Sequence, residues 1–160
     1  MSPESKEKQL KLSDEDKKWI ANVTFGEAAG ANEDVQKMVI RTVLNRLRSS
    51  RDKEFGATVP EIVNKGYYAA INQNDPYSQA LSGEFPDINS KATYGNINTL
   101  IDAIVGDQDF GEAMFYFTDD EIGKLHEANK KRVSQGRAKK FNFDAVKPLK
   151  IVDKYKTYGY

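Results

Sequence analysis

The stretch from Trp19 to Ser49 most constrains the fold, because it predicts two helices separated by a break of small residues. Ser13 followed by three acidic residues is typical of a helix start, and we predict a first helix over 13–29 that ends near Gly30. A second helix is predicted over 33–49 with Asn32 as its cap. Its broad apolar stripe predicts a central helix packed on more than one side.

A carboxylate falls on the apolar face of the first predicted helix. At about 100° per residue, Trp19, Ile20 and Val23 share a face, and Glu27 lies on its continuation. The residues at 26 and 28–30 are all Gly or Ala, so a ligand or another segment can approach closely. A carboxyl group on an apolar surface has a raised pKa and can act as a general acid. The alternative, a Glu27 that is solvated or paired with an arginine, stays open.

Composition excludes several classes of protein. The 160 residues predict one domain over 13–160, after a frayed start at 1–12. The chain has no cysteine, which excludes disulfides and thiol nucleophiles, and its one histidine, His126, excludes poly-His metal sites. We therefore expect no metal and no cofactor. The sequence contains no run of 18 or more apolar residues, so we expect no membrane span.

The rest of the chain predicts a mostly helical α+β domain. Further helices are predicted over 60–63, over 75–82, before Gly106 and over 119–132. Strands are predicted within 113–117, 141–143 and 149–152. Loops or irregular segments are predicted over 49–58, 65–74 and 84–94.

Charge is unevenly distributed although the net charge is zero. From Lys124 to Tyr160 there are eleven Lys or Arg and three acidic residues, a balance of +8. Such a region can bind a polyanion such as an anionic cell-wall polymer, or it can be a solvated face. No nucleic-acid motif is recognisable, so a nucleic-acid partner ranks below a wall polymer.

Several motifs occur in an order that resembles one family. The motifs are Glu27–Gly30 (EAAG), Val43–Arg46 (VLNR), Pro60–Val63, Gly66–Ile71 followed by Asn74-Asp75-Pro76, and Ala113–Phe117. Together they are similar to the spore-cortex-lytic cell-wall hydrolases of the lysozyme-like superfamily, and the similarity covers about 19–117. The basic C-terminal region lies outside it.

The resemblance implies a lysozyme-like helical fold and cleavage of the β-1,4 bond after N-acetylmuramic acid in peptidoglycan. It also implies that Glu27 is the catalytic acid and base. The chain departs from the family at Tyr67, where relatives have Gln, and at Ala69, where they have Ser or Thr. The candidate substrate contacts are Arg46, Tyr67, Tyr68, Asn74 and Tyr116.

One carboxylate without an evident partner favours a lytic transglycosylase, whereas a muramidase of the usual kind needs two. A second hypothesis is a non-catalytic glycan-binding or phage structural protein that keeps the scaffold. Because the N-terminal residues show no signal peptide, we expect a protein that reaches the bacterial cell wall by another route, for example as a phage lysin or virion component.

Overall fold

The computed structural model describes residues 10–160, and the chain divides into two compact units. The first unit ends at Gly111, and the second runs from Glu112 to Tyr160. Most of the predicted frayed start lies outside the described residues. No helix within 10–160 has the length and apolar character that crossing a membrane requires.

The first unit is helical throughout. Its helices are α1 (Asp14–Ala28), α2 (Glu33–Arg48), α3 (Asp52–Phe55), α4 (Val59–Gly66), α5 (Tyr68–Ile71), α6 (Asp75–Ser82) and α7 (Ile88–Asp107). The predicted caps of the first two helices are confirmed, since the Ser13 and Asn32 side chains accept hydrogen bonds from backbone N–H groups in the first turns.

Helix α1 lies at the centre of this unit. Every residue from Ile20 to Gly26 is buried, and α1 packs against α2, α4, α5, α6 and α7. The polar residue Asn22 is accommodated because its side-chain oxygen accepts a 2.7 Å hydrogen bond from Tyr94. Helix α2 contacts α1, α4 and α7, which confirms the prediction that it packs on more than one side.

Several predicted loops are helical instead. The loop predicted over 84–94 is confirmed up to Asp87 and was wrong from Ile88 onward, because Asp87 caps α7, which begins there. Short helices also interrupt 49–58 and 65–74. The first helix ends at Ala28, one residue earlier than predicted, and its C-cap is Ala29 in a right-handed conformation rather than Gly30.

The second unit contains a three-stranded antiparallel sheet of order β1-β3-β2. Its elements are β1 (Phe115–Thr118), α8 (Asp119–Ser134), a 3-10 turn (Phe143–Ala145), β2 (Lys147–Val152) and β3 (Tyr155–Gly159). The predicted capping box is confirmed, because Thr118 and Glu121 each bond the other's backbone N–H. The predicted strand over 141–143 was wrong, because this segment leads into the 3-10 turn.

Aromatic rings form the core of the second unit. Phe115 pairs with Tyr158 across the sheet, and Phe117, two residues along, lies on the same face. Together with Phe141 and Phe143 these rings form one cluster, in which neighbouring centroids lie 4.8 to 6.4 Å apart. Phe115 and Phe117 are therefore packing residues, and His126 stacks on Phe143 at 4.4 Å.

The mostly helical α+β class predicted from sequence is therefore confirmed.

Candidate functional site

The Glu27 carboxylate lies in the last turn of α1 and is half-buried. Its Oε2 accepts a 3.1 Å hydrogen bond from the backbone N–H of Ala69, the second residue of α5. Ala69 itself is fully buried. The carboxylate is therefore oriented by rigid backbone.

A closed ring of hydrogen bonds surrounds this contact. The Ala69 carbonyl accepts from the backbone N–H of Asn74 at 3.2 Å, and Asn74 Nδ2 donates to the Gly26 carbonyl at 3.0 Å. Gly26 is covalently joined to Glu27, whose carboxylate returns to Ala69. We call this arrangement the Glu27 ring, comprising Gly26, Glu27, Ala69 and Asn74. It links the end of α1 to the segment between α5 and α6.

Gly26 allows the two sides of the ring to approach each other. A Cβ atom at position 26 would lie 2.7 Å from the Ala69 Cβ and 2.9 Å from the Tyr77 Cβ, closer than carbon atoms can pack. The small residues beside Glu27 were predicted to admit a ligand or another segment. At Gly26 the space is taken by Ala69 and Tyr77 of the same chain. At Gly30 the space is open, because a Cβ there would meet no atom within 4 Å.

A second amide holds the end of α1 from the opposite direction. Gln36 of α2 is buried, and its Nε2 donates to the carbonyls of Ala28 at 3.2 Å and Ala31 at 3.4 Å. Carbonyls in the last turn of a helix have no partner within the helix, so these side chains satisfy them. Because α2 and α6 both fix this turn, the backbone that carries Glu27 is held on two sides.

Tyr67 is a packing residue in the structure, with only 1% of its surface exposed. Its hydroxyl lies 2.7 Å from Thr42 Oγ1, which also donates to the Val39 carbonyl at 2.8 Å. Either hydroxyl can be the donor in the bond between Tyr67 and Thr42. Burial raises the pKa of Tyr67, and the nearby Arg46 charge opposes this shift. Neither face of a ring buried in this way is accessible to a sugar, so the structure does not support Tyr67 as a direct contact.

Arg46 is also buried rather than a polar helix edge. Its guanidinium carbon lies 4.9 Å from the ring centroids of both Phe55 and Tyr67. These are cation–π distances, and they place the charge against two aromatic faces. Arg46 therefore packs on Tyr67.

Tyr68 differs from its neighbour because 69% of its surface is exposed. It directly precedes Ala69, whose N–H binds Glu27, so the ring projects from the segment that orients the carboxylate. Ile71, one turn later, is also exposed. An exposed aromatic ring offers an apolar surface on which a sugar ring can stack.

The candidate contacts divide between the two units. Within the first unit, Asn74 belongs to the Glu27 ring and Tyr68 directly precedes Ala69, the donor to Glu27, whereas Arg46 packs on Tyr67. Tyr116 belongs to the second unit, where it pairs with Thr157 on β3 and its ring lies 5.5 Å from that of Tyr155. Sequence reasoning missed the Ala69 N–H and Gln36, because a backbone donor leaves no sequence pattern and Gln36 lies beside an apolar stripe.

Comparison with known proteins gave no match among family models, curated proteins or solved structures.

Proposed function

We propose that this protein is a peptidoglycan-cleaving enzyme with a lysozyme-like fold in which Glu27 is the general acid and base. It acts on the β-1,4 bond between N-acetylmuramic acid and N-acetylglucosamine in the bacterial cell wall. The observation that carries the proposal is the half-buried Glu27 carboxylate, fixed by the N–H of Ala69, the residue after the exposed Tyr68. A positioned acid is what general acid catalysis of glycosidic bond cleavage requires.

One carboxylate is sufficient if the reaction is a lytic transglycosylation. Protonated Glu27 donates its proton to the leaving glycosidic oxygen as the bond from C1 to that oxygen breaks. The Glu27 carboxylate then removes the proton from the C6 hydroxyl of the same muramic acid, and that oxygen bonds to C1. The product is a 1,6-anhydro ring, the acid is regenerated and no water is consumed.

Tyr68 is the proposed sugar contact with the clearest structural support. Stacking a sugar on an aromatic face removes apolar C–H surface from water, and the exposed Tyr68 ring is available for this. Its attachment to Ala69 couples the position of a bound sugar to the donor that orients Glu27. Tyr116, half-buried on β1 of the second unit, stays a prediction from sequence.

The second unit supports an anionic wall polymer as a further partner. Residues 130–140 include six Lys or Arg and no acid. The chain reverses at Gly136 (φ +70°), where Arg132 Nε donates to the Ala138 carbonyl at 2.7 Å. This basic turn concentrates positive charge, which attracts a polyphosphate chain in a salt-dependent manner.

A digest of purified sacculi tests the proposed function. We expect the protein to lower the turbidity of the suspension and to release soluble muropeptides into the supernatant. A glycan-binding or structural protein would sediment with the sacculi and release nothing. Sedimentation without release would reject the enzymatic proposal in favour of that second candidate, for which the buried Tyr67 in place of the family's Gln is the favouring observation.

A further inference from the structure

We propose that Asn74 is a positioning residue for Glu27 rather than a contact to the sugar. Its effect on catalysis rests on the proposed function, but its effect on the geometry of Glu27 does not. The two polar ends of the Asn74 side chain bind the protein's own backbone. Nδ2 donates to the Gly26 carbonyl at 3.0 Å, and Oδ1 accepts from the Tyr77 N–H at 2.9 Å.

The two bonds have separable consequences. The Oδ1 bond caps α6, as Asn does at many helix starts. The Nδ2 bond spans 48 residues of sequence and attaches this cap to the turn of α1 that carries Glu27. The backbone N–H of Asn74 also binds the Ala69 carbonyl, so Asn74 binds both the residue that donates to Glu27 and Gly26, the residue before Glu27.

Loss of the Nδ2 bond opens the Glu27 ring at one point. The end of α1 then loses its bond to the segment between α5 and α6, so the separation between the Ala69 N–H and the Glu27 carboxylate is held less tightly. A displacement of about 1 Å at a catalytic group is enough to slow a reaction by about 100-fold. Substrate binding through exposed rings does not depend on this bond, so the effect is expected in kcat.

Asn74→Ser removes the bond to the Gly26 carbonyl and keeps the helix cap. Serine is an equally good N-cap, so the bond to Tyr77 can persist, but its side chain is too short to reach the Gly26 carbonyl. Asn32→Ser is the matched control, because Asn32 caps α2 through Val35 at 3.0 Å, outside the Glu27 ring. Both variants should be compared with the wild-type full chain for muropeptide release and for hydrogen exchange of the Ala69 amide.

We expect Asn74→Ser to lower kcat by about 10- to 100-fold with KM within about twofold. Exchange of the Ala69 amide should become at least about tenfold faster, since its acceptor is no longer held. Asn32→Ser should change neither quantity by more than about twofold. An unchanged Ala69 exchange rate in Asn74→Ser, or a raised KM at constant kcat, would overturn the proposal. If the wild-type protein cleaves nothing but the Ala69 amide still exchanges faster in Asn74→Ser, the positioning role of Asn74 is supported. Only the enzymatic function is then rejected.

Discussion

We expect Glu27→Gln to lower the rate of muropeptide release by about 10²- to 10⁴-fold, the range that general acid–base catalysis contributes. Glutamine has nearly the same shape, and its side-chain oxygen can still accept the Ala69 N–H bond. What the variant lacks is a proton to give to the leaving oxygen and a base to recover one. The fold should therefore persist while the chemistry stops.

The matched control for this variant is Glu33→Gln. Glu33 is exposed in the first turn of α2, where it forms a 3.8 Å ion pair with Lys37. An exposed pair of this kind contributes little, so release should stay within about twofold of the wild type. The thermal midpoints of both variants should be measured in parallel. A folded Glu27→Gln protein that releases muropeptides at the wild-type rate would remove Glu27 from the mechanism.

Gly26→Ala should destabilise the protein by about 1–3 kcal/mol, the usual cost of overpacking a core. The added methyl group meets the Cβ atoms of Ala69 and Tyr77, which belong to buried residues of α5 and α6 and cannot withdraw without moving those helices. The free energy of unfolding, measured by denaturant titration, should fall accordingly. Because the same contact sets the width of the Glu27 ring, muropeptide release should fall as well.

Gly30→Ala provides the comparison at the other end of the small-residue break. A methyl group there meets nothing within 4 Å, and the residue has no positive φ. Its stability should be unchanged or higher by about 0.4–1 kcal/mol, since alanine restricts the unfolded chain. Equal stability of the two variants would contradict the close packing of α1 on α5 and α6.

The sequence predicted those parts of the first unit that local signals determine. Ser13 and Asn32 were identified as caps because a side-chain oxygen before a helix is a local requirement. The helix predicted over 75–82 is likewise confirmed as α6, which Gly83 follows in the left-handed conformation. Glu27 was singled out because apolar periodicity extends to it, and the structure places it half-buried at that position.

The connections that assemble the site were not predictable from local patterns. Asn74 was expected to touch substrate, but its amide nitrogen binds a carbonyl 48 residues earlier in the chain. Tyr67 and Tyr68 are identical and adjacent, yet one is buried and the other exposed, because α5 begins between them and turns their side chains apart. Only the packing of α1 against α5 and α6 distinguishes these roles.

The mass of the muropeptide ends released by the wild-type protein tests the central claim most directly. If Glu27 alone carries both proton transfers, the muramic acid ends are 1,6-anhydro rings, lighter by one water than the ends that hydrolysis leaves. Mass spectrometry of a digest of purified sacculi should therefore find anhydro ends. Ordinary reducing ends would contradict the account, because they form by attack of water. That reaction requires a second carboxylate, which either activates the water or first attacks the sugar itself.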